Sequence, residues 1–207
     1  MKAARTLLSW PIRIIVLVAS IGILGSFFFP LWHYYFEAPQ YPEGLAMSIW
    51  SYKLGGKVDL INGLNHYVGF MQLNTAEFIE FKILPAAIVV ISLWGLYVVI
   101  RGTKLSLLAW LSGFFIFGIV ALIDFYRWLY AFGHTVDPMA IIDIEGYTPP
   151  MIGTSQFMNF YILSYPGIAF YILIAGLALG ALALLLTYWR NAKAAVNSNR
   201  SKSPILA

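Results

Sequence analysis

Four runs of apolar residues constrain this chain more than any other feature, because each has about the length that crosses a hydrocarbon core of about 30 Å. They lie at about 12–29, 83–100, 105–123 and 165–189. Only 11 % of the residues are charged and the mean hydropathy is +0.77, which excludes a disordered chain and an ordinary soluble domain. The sequence therefore predicts an all-α integral membrane protein with four transmembrane helices in a single membrane domain.

The first run begins next to basic residues, as a signal peptide does. It is too long for the apolar part of a signal peptide, and no small-residue cleavage site follows it. A proline, a tryptophan and two tyrosines follow instead, in the string FFFPLWHYY, which is typical of a helix leaving the membrane at its interface. We expect an uncleaved first helix.

Charged residues are divided unequally between the segments that flank these runs. Nine of the 13 Lys and Arg residues lie near the N-terminus, in the short link at 101–104 and in the C-terminal tail, and no acidic residue accompanies them. All nine acidic residues lie with the other four basic ones in two longer segments. The positive-inside rule predicts a multi-pass membrane protein with both termini cytoplasmic and a basic rim facing anionic lipid.

The two longer segments, at about 33–82 and 125–164, are therefore predicted to be periplasmic loops that fold together as a small mixed outer cap. In the first, the string GLAMSIWSYKL indicates a strand, and Asp59 can cap a short helix. Asn74 and Glu77 have the spacing of a capping box, which predicts a helix start. The second is expected to be an irregular loop with a short helix near 155–163, and the tail at 190–207 to be flexible.

Potential metal ligands are concentrated in the two outer segments. All three His residues and every Met except Met1 lie there, and the four runs contain neither. Imidazole and thioether groups without any cysteine favour copper, especially Cu(I). The candidate ligands are His33, His66, His134, Met47, Met71 and Met139. The alternative is that the histidines hydrogen-bond within the cap and the methionines pack it against the membrane.

A second polar feature is the pair Asp124 and Arg127 at the outer end of the third run. A spacing of three places both on one helix face, which indicates a structural ion pair or part of an ion pathway. With His134 they could also form an enzymatic or quinone-binding site at the membrane interface. No run has a charged residue near its centre, which argues against a proton-coupled carrier. Catalytic and nucleic-acid-binding motifs are absent from the sequence, so we expect a non-enzyme with no nucleic-acid partner.

Several strings in the outer half carry a family resemblance. They are PLWHYYFEAPQYPEGLAM (30–47), DLINGLNHYVGF (59–70), EFKILP (80–85) and DPMAIIDIEGYTPPMIG (137–153). This pattern resembles a family of small bacterial four-helix membrane proteins found in gene neighbourhoods for nitrous-oxide reductase maturation and copper handling. Phe70 stands where the family has Met, and Met71 follows it. The resemblance implies a location in the bacterial inner membrane, with the outer loops in the periplasm, and a link to copper, but no catalytic residue.

Two functional hypotheses follow. In the first, the chain is a membrane-anchored accessory factor whose periplasmic His/Met surface handles copper for a periplasmic enzyme such as nitrous-oxide reductase. In the second, it is a non-catalytic structural or assembly subunit of a larger respiratory membrane complex, with its aromatic loops as the interface. In both, the partners are the bilayer and a membrane or periplasmic protein. Gly176 and Gly180 form a Gly-x-x-x-Gly pair that allows close helix packing, either within this chain or with a partner helix.

Overall fold

The computed structural model describes residues 7–135, 140 and 146–202. In this part of the chain, a helical bundle is joined at one end to an antiparallel sheet. The elements in chain order are α1 (Trp10–Gly25), a 3-10 turn (Ser26–Phe28), β1 (Trp32–Ala38), β2 (Tyr41–Ile49), β3 (Leu54–Gly56), α2 (Val58–Val68), α3 (Glu80–Arg101), α4 (Lys104–His134), β4 (Gly153–Phe157), β5 (Phe160–Pro166) and α5 (Ile168–Lys202).

Four helical segments are long and apolar enough to cross a membrane, which confirms the prediction of four spans. They are Trp10–Phe28, Glu80–Arg101, Lys104–His134 and Ile168–Ala194. Many of their large apolar side chains are exposed in the isolated chain, as expected for a surface that contacts lipid. The chain is mostly helical, but its five-stranded sheet makes the fold mixed, so the all-α description applies to the spans alone.

Helix α1 lies between α3 and α5 and packs closely against both. The hydroxyl of Ser92 donates to the backbone oxygen of Ser20 over 2.7 Å, inside the bundle. The indole of Trp110 donates to the backbone oxygen of Ile91 over 2.9 Å. Gly180 faces the ring of Trp110 and Gly176 faces Ile23 and Phe114, so both glycines of the predicted Gly-x-x-x-Gly pair pack within this chain. The two hydrogen bonds satisfy polar groups whose burial in apolar surroundings would otherwise cost free energy.

The end of the bundle opposite the sheet holds the link between α3 and α4. The amide of Leu8 donates to the backbone oxygen of Gly102 over 2.7 Å, and Arg13 donates from Nε to the backbone oxygen of Leu8 over 3.2 Å. The ammonium of Lys104 lies 3.4 Å from the centre of the Tyr188 ring on α5. The segment before α1 and the later part of α5 therefore lie at the same end of the molecule.

The sheet has the strand order β3-β2-β1-β5-β4 and is antiparallel throughout. Strand β1 is central because it pairs with β2 on one side and with β5 on the other. One face, with Trp32, Tyr34, Leu45, Met47 and Ile162, is buried against the helices. The alternation of side chains along strands places the opposite residues on the outer face.

The second outer segment differs from its prediction. The sequence predicted an irregular loop with a short helix near 155–163, but β4 and β5 form a hairpin there. Met158 occupies the hairpin turn with a φ of 52°. The pairing of β5 with β1 supplies backbone hydrogen-bond partners from a segment more than 100 residues away, which a local pattern does not reveal.

Several helix boundaries also differ from the predicted ones. The run at 105–123 belongs to a longer helix, α4, which continues to His134; the sequence allowed this extension, through DFYRWLYAF at 124–132. Helix α5 continues to Lys202, where a flexible tail was predicted. Asn74 and Glu77 form a hydrogen-bonded turn, and α3 begins only at Glu80. The predicted short helix is present as α2, with Asp59 in its first turn and Lys57 at its cap.

Candidate functional site: an apolar cavity beneath the sheet

A cavity of about 730 Å³ lies between the buried face of the sheet and four of the helices. Its walls come from all five strands, from α2, α3, α4 and α5, and from the segments that connect them. Most of the lining is aromatic or aliphatic. The side chains with an amide or a carboxylate are Gln40, Asn65, Glu80, Asp124 and Asn159. A cavity of this size with few polar groups falls in the range of small-molecule binding sites.

The cavity is elongated along α4. On α4 its lining residues run from Phe114 to Phe132, which corresponds to about 27 Å along the helix axis at 1.5 Å per residue. Gly118 lines its bundle end with open space beside the Cα, and Met47 and Ile61 line its sheet end. The shape suits a flexible hydrocarbon chain better than a broad ring system.

Two aromatic side chains of β1 line the cavity and attach β1 to β5 and to the segment before β4. Trp32 donates from its indole to Ser164 Oγ over 2.9 Å, and Tyr34 donates from its hydroxyl to the backbone oxygen of Pro150, also over 2.9 Å. Burial raises the pKa of Tyr34 well above its ordinary value of 10.0. Its hydroxyl therefore stays protonated at neutral pH and acts as a donor.

Asparagines of α2 hold the segment that follows this helix against the cavity. The amide side chain of Asn62 accepts from the Leu73 backbone amide over 2.7 Å and donates to the Leu73 backbone oxygen over 2.9 Å. The buried Asn65 donates to the backbone oxygen of Met71 over 3.3 Å. Gly69 ends α2 in the left-handed region, with φ of 73°, where glycine is favoured. The NGLNHYVG string thus builds one wall of the cavity.

A polar cluster lies where α3 begins and α4 passes it. Glu80 Oε1 accepts from the indole of Trp128 over 2.8 Å and from Arg127 Nη2 over 3.4 Å. Arg127 also donates from Nε to Asp124 Oδ1 over 2.9 Å, so the predicted pairing of Asp124 with Arg127 is present. Glu80 Oε2 is buried and has no hydrogen-bond partner in the described part of the protein. Glu80 and Asp124 both line the cavity.

The sheet separates two of the predicted copper ligands. His33 pairs with Ser48, whereas Met47 pairs with Tyr34, so His33 and Met47 point to opposite faces. A hydrogen bond of 3.1 Å joins His33 Nδ1 and Ser48 Oγ, and the imidazole stacks on Tyr165. Partial burial lowers the pKa of His33 below 6.5. Met47 is buried in the cavity wall.

The remaining candidates lie at separate places. His134 is exposed at the end of α4, where its Nδ1 donates to the Tyr130 backbone oxygen over 2.9 Å and its ring stacks on Tyr130. His66 is exposed in the last turn of α2. Met71 is half-buried and lines the cavity, and Met139 lies outside the described residues. Within 7–135, 140 and 146–202, no three His or acidic side chains are close enough together to hold a metal ion.

The sequence analysis missed Glu80 and the cavity. Glu80 was counted only among the outer acidic residues, because the indole donor that it contacts comes from α4, 48 residues later. Met47 and Met71 were predicted to be copper ligands, and both form part of the apolar wall of the cavity. The aromatic residues beyond 123 continue the apolar face of α4, and this pattern could have indicated the cavity wall.

No protein-family model, curated protein or solved structure matches this chain. The family resemblance therefore stays a prediction, and the function is argued from the geometry of the cavity.

Proposed function

We propose that this protein is a membrane-anchored binding protein that takes the hydrocarbon chain of a lipid-like molecule into the cavity beneath its sheet. The observation that carries the proposal is the shape and composition of this cavity, which extends about 27 Å along α4 from the helix bundle to the sheet. Apolar surface that remains unfilled by side chains loses dispersion contacts, and a bound chain restores them.

The position of the cavity supports a ligand that arrives from the bilayer. Its lower wall consists of α3, α4 and α5, which are three of the four candidate spans. Its upper wall consists of the sheet and α2, which are too short or too polar to be candidate spans. A molecule in this cavity would have one end between membrane helices and the other in the cap. This arrangement suits holding or presenting a lipid-like molecule at the membrane surface.

Copper handling for a periplasmic enzyme and the role of an assembly subunit remain predictions from the sequence. The separation of His33 from Met47 by the sheet gives the first no added support. The second is compatible with a lipid-binding cavity, since a subunit of a complex can also hold a lipid. Neither hypothesis explains why the cap and the bundle enclose a long apolar space, which is the feature that the lipid proposal addresses.

A photoreactive phospholipid with a diazirine in its acyl chain tests the proposal. In nanodiscs, the wild-type protein should be labelled at the cavity wall beneath the sheet, for example at Phe36, Met47 and Ile61, as mapped by peptide mass spectrometry. The variant Gly118→Trp should reduce this labelling about tenfold or more, because the indole occupies the bundle end of the cavity, where a Cβ meets open space.

The matched control is Gly22→Trp. Gly22 also has open space beside its Cα, but it lies on α1 and is not part of the cavity wall. This variant should be labelled like the wild type. Labelling of the wild type that is confined to exposed residues of the spans, such as Val90 and Ile116, would overturn the proposal without reference to any variant. Equal loss of cavity labelling in both variants would overturn it as well.

A further inference from the structure

The cavity has one position at which a polar head group could be recognised, and that position is Glu80. Glu80 is the first residue of α3, so it lies where a candidate span begins, next to the cap. The ends of apolar helices lie near the bilayer surface, the level at which the head group of a lipid joins its chains. A ligand whose chain fills the cavity would therefore place its head group near this carboxylate.

Hydrogen bonding at Glu80 is incomplete. The indole of Trp128 donates to Oε1 over 2.8 Å and holds the carboxylate at the cavity wall. The guanidinium of Arg127 is 3.4 Å from the same oxygen, is shared with Asp124 and is 58 % exposed. Only 21 % of the Glu80 side chain is exposed, and its Oε2 is buried without a hydrogen-bond partner among the described residues. Leaving a buried carboxylate oxygen unsatisfied is unfavourable. A ligand donor reaches Oε2 when the carboxylate turns toward the cavity that Glu80 lines, and the hydrogen bond gained there would be stabilising.

The local charge specifies the kind of donor. Two carboxylates, Glu80 and Asp124, share one guanidinium, so the cluster has an excess negative charge. A cationic donor suits this excess better than a neutral hydroxyl, because a charge-assisted hydrogen bond is stronger than a neutral one. We infer that the cavity selects a lipid whose head group has a primary ammonium, and that this ammonium donates to Glu80. The inference rests on the proposed binding of the lipid chain.

Two phospholipids that differ in whether the head-group nitrogen can donate a hydrogen bond test the role of the ammonium. Phosphatidylethanolamine and phosphatidylcholine have the same charges and can have the same photoreactive chain, but the choline nitrogen has no N–H. In nanodiscs with equal amounts of both lipids, we expect the ethanolamine lipid to label the cavity wall about tenfold more than the choline lipid, which is the ratio one charge-assisted hydrogen bond supplies. A wild-type ratio near one would overturn the inference before any variant is made.

Two substitutions then locate the preference. Glu80→Gln keeps an oxygen that accepts from Trp128 but replaces the second acceptor with a donor, so the ratio should fall to about one while labelling of the cavity continues. Glu77→Gln makes the same change three residues earlier, at an exposed side chain outside the cavity, and should leave the ratio unchanged. A preference that survives in Glu80→Gln, or that is lost in Glu77→Gln, would overturn the inference.

The two proposals fail in different ways in these experiments. If neither lipid labels the cavity wall of the wild type, chain binding is wrong and the head-group inference falls with it. If both lipids label the wall equally and Gly118→Trp removes the labelling, the chain proposal stands and the role of Glu80 is wrong. The result that supports both is labelling of the wall that Gly118→Trp abolishes and that prefers the ethanolamine lipid only while Glu80 is present.

Discussion

Single side chains in the cap have structural roles where the sequence suggested metal ligands. His33 bonds to Ser48 and stacks on Tyr165, and Met47 fills part of an apolar wall. Asn62 uses both its oxygen and its nitrogen on the backbone of Leu73, which positions the segment after α2. Met47 lines the cavity directly, and Asn62 holds the segment whose Met71 and Leu73 line it, whereas His33 lies on the opposite face of the sheet.

The pKa of His33 predicts a dependence of stability on pH. Because burial lowers this pKa in the folded protein, the unfolded chain binds more protons between that lowered value and about 6.5. The contribution of His33 to the free energy of unfolding is therefore fully present above about pH 6.5 and is lost as the pH falls below that value. We expect His33→Gln to reduce the fall in Tm between pH 7.5 and pH 5.5 by about 1–2 °C, a small effect because the side chain is partly exposed.

Thermal unfolding in detergent, followed by tryptophan fluorescence at the two pH values, measures this difference. Gln can still hydrogen-bond to Ser48 but does not titrate, so the comparison isolates protonation from packing. An identical fall in Tm for both proteins would show that His33 does not contribute to the pH dependence of stability.

At the scale of the elements, the bundle depends on the close approach of α1 and α3. A Cβ added at Gly95 would lie 2.1 Å from Ser20 Oγ and 3.1 Å from the ring of Trp110. The absence of a side chain at Gly95 therefore permits the hydrogen bond between Ser92 and the backbone of Ser20. Small residues have this function in membrane helices because apolar attraction alone does not distinguish a helix from lipid.

Gly95→Val should therefore destabilise the protein by about 1–3 kcal/mol, which is typical of overpacking, and lower its Tm by several degrees. Gly22→Val on α1 is the matched control, because a Cβ at Gly22 meets nothing within 4 Å. Both variants introduce the same β-branched residue into a candidate span. Equal Tm values for the two variants, measured in the same detergent, would contradict the assigned role of Gly95.

At the scale of the whole molecule, the charge distribution and the fold agree on which segments share a side. The segment before α1, the link between α3 and α4 and the later part of α5 lie together, and these are the basic segments of the sequence. The sheet, α2 and all of the acidic residues that the structure describes lie at the other end or near it. The positive-inside rule then predicts the sheet outside and the basic end in the cytoplasm.

Cysteine labelling tests this orientation cleanly, because the chain contains no cysteine of its own. Ile152 lies beside the sheet and Val196 lies late in α5, and their exposed fractions are similar, at 63 % and 64 %. In spheroplasts, a membrane-impermeant maleimide should modify Ile152→Cys and spare Val196→Cys. After permeabilisation both should react. The reverse pattern in intact spheroplasts would place the basic end outside.

Sequence reasoning succeeded where the determining contacts are local. The four spans follow from the hydrophobicity of about 20 consecutive residues, and the pairing of Asp124 with Arg127 follows from a spacing of three on one helix. The short helix α2 was also predicted from local patterns, and the strand predicted over GLAMSIWSYKL (44–54) is present as far as Ile49, where β2 ends. In each case the residues that define the element are neighbours in the chain.

The sheet and the cavity depend instead on residues that are far apart in the chain. Trp32 and Ser164, whose hydrogen bond joins β1 to β5, are separated by 132 positions, and Glu80 meets Trp128 across 48. The second outer segment had no local alternation strong enough to predict a hairpin, and its strands gain their hydrogen-bond partners only when β5 meets β1. Apolar spacing along the chain thus suffices for the spans, because the bilayer selects each helix separately. The shape of the space between cap and bundle is a property of their packing together, so only the folded chain defines it.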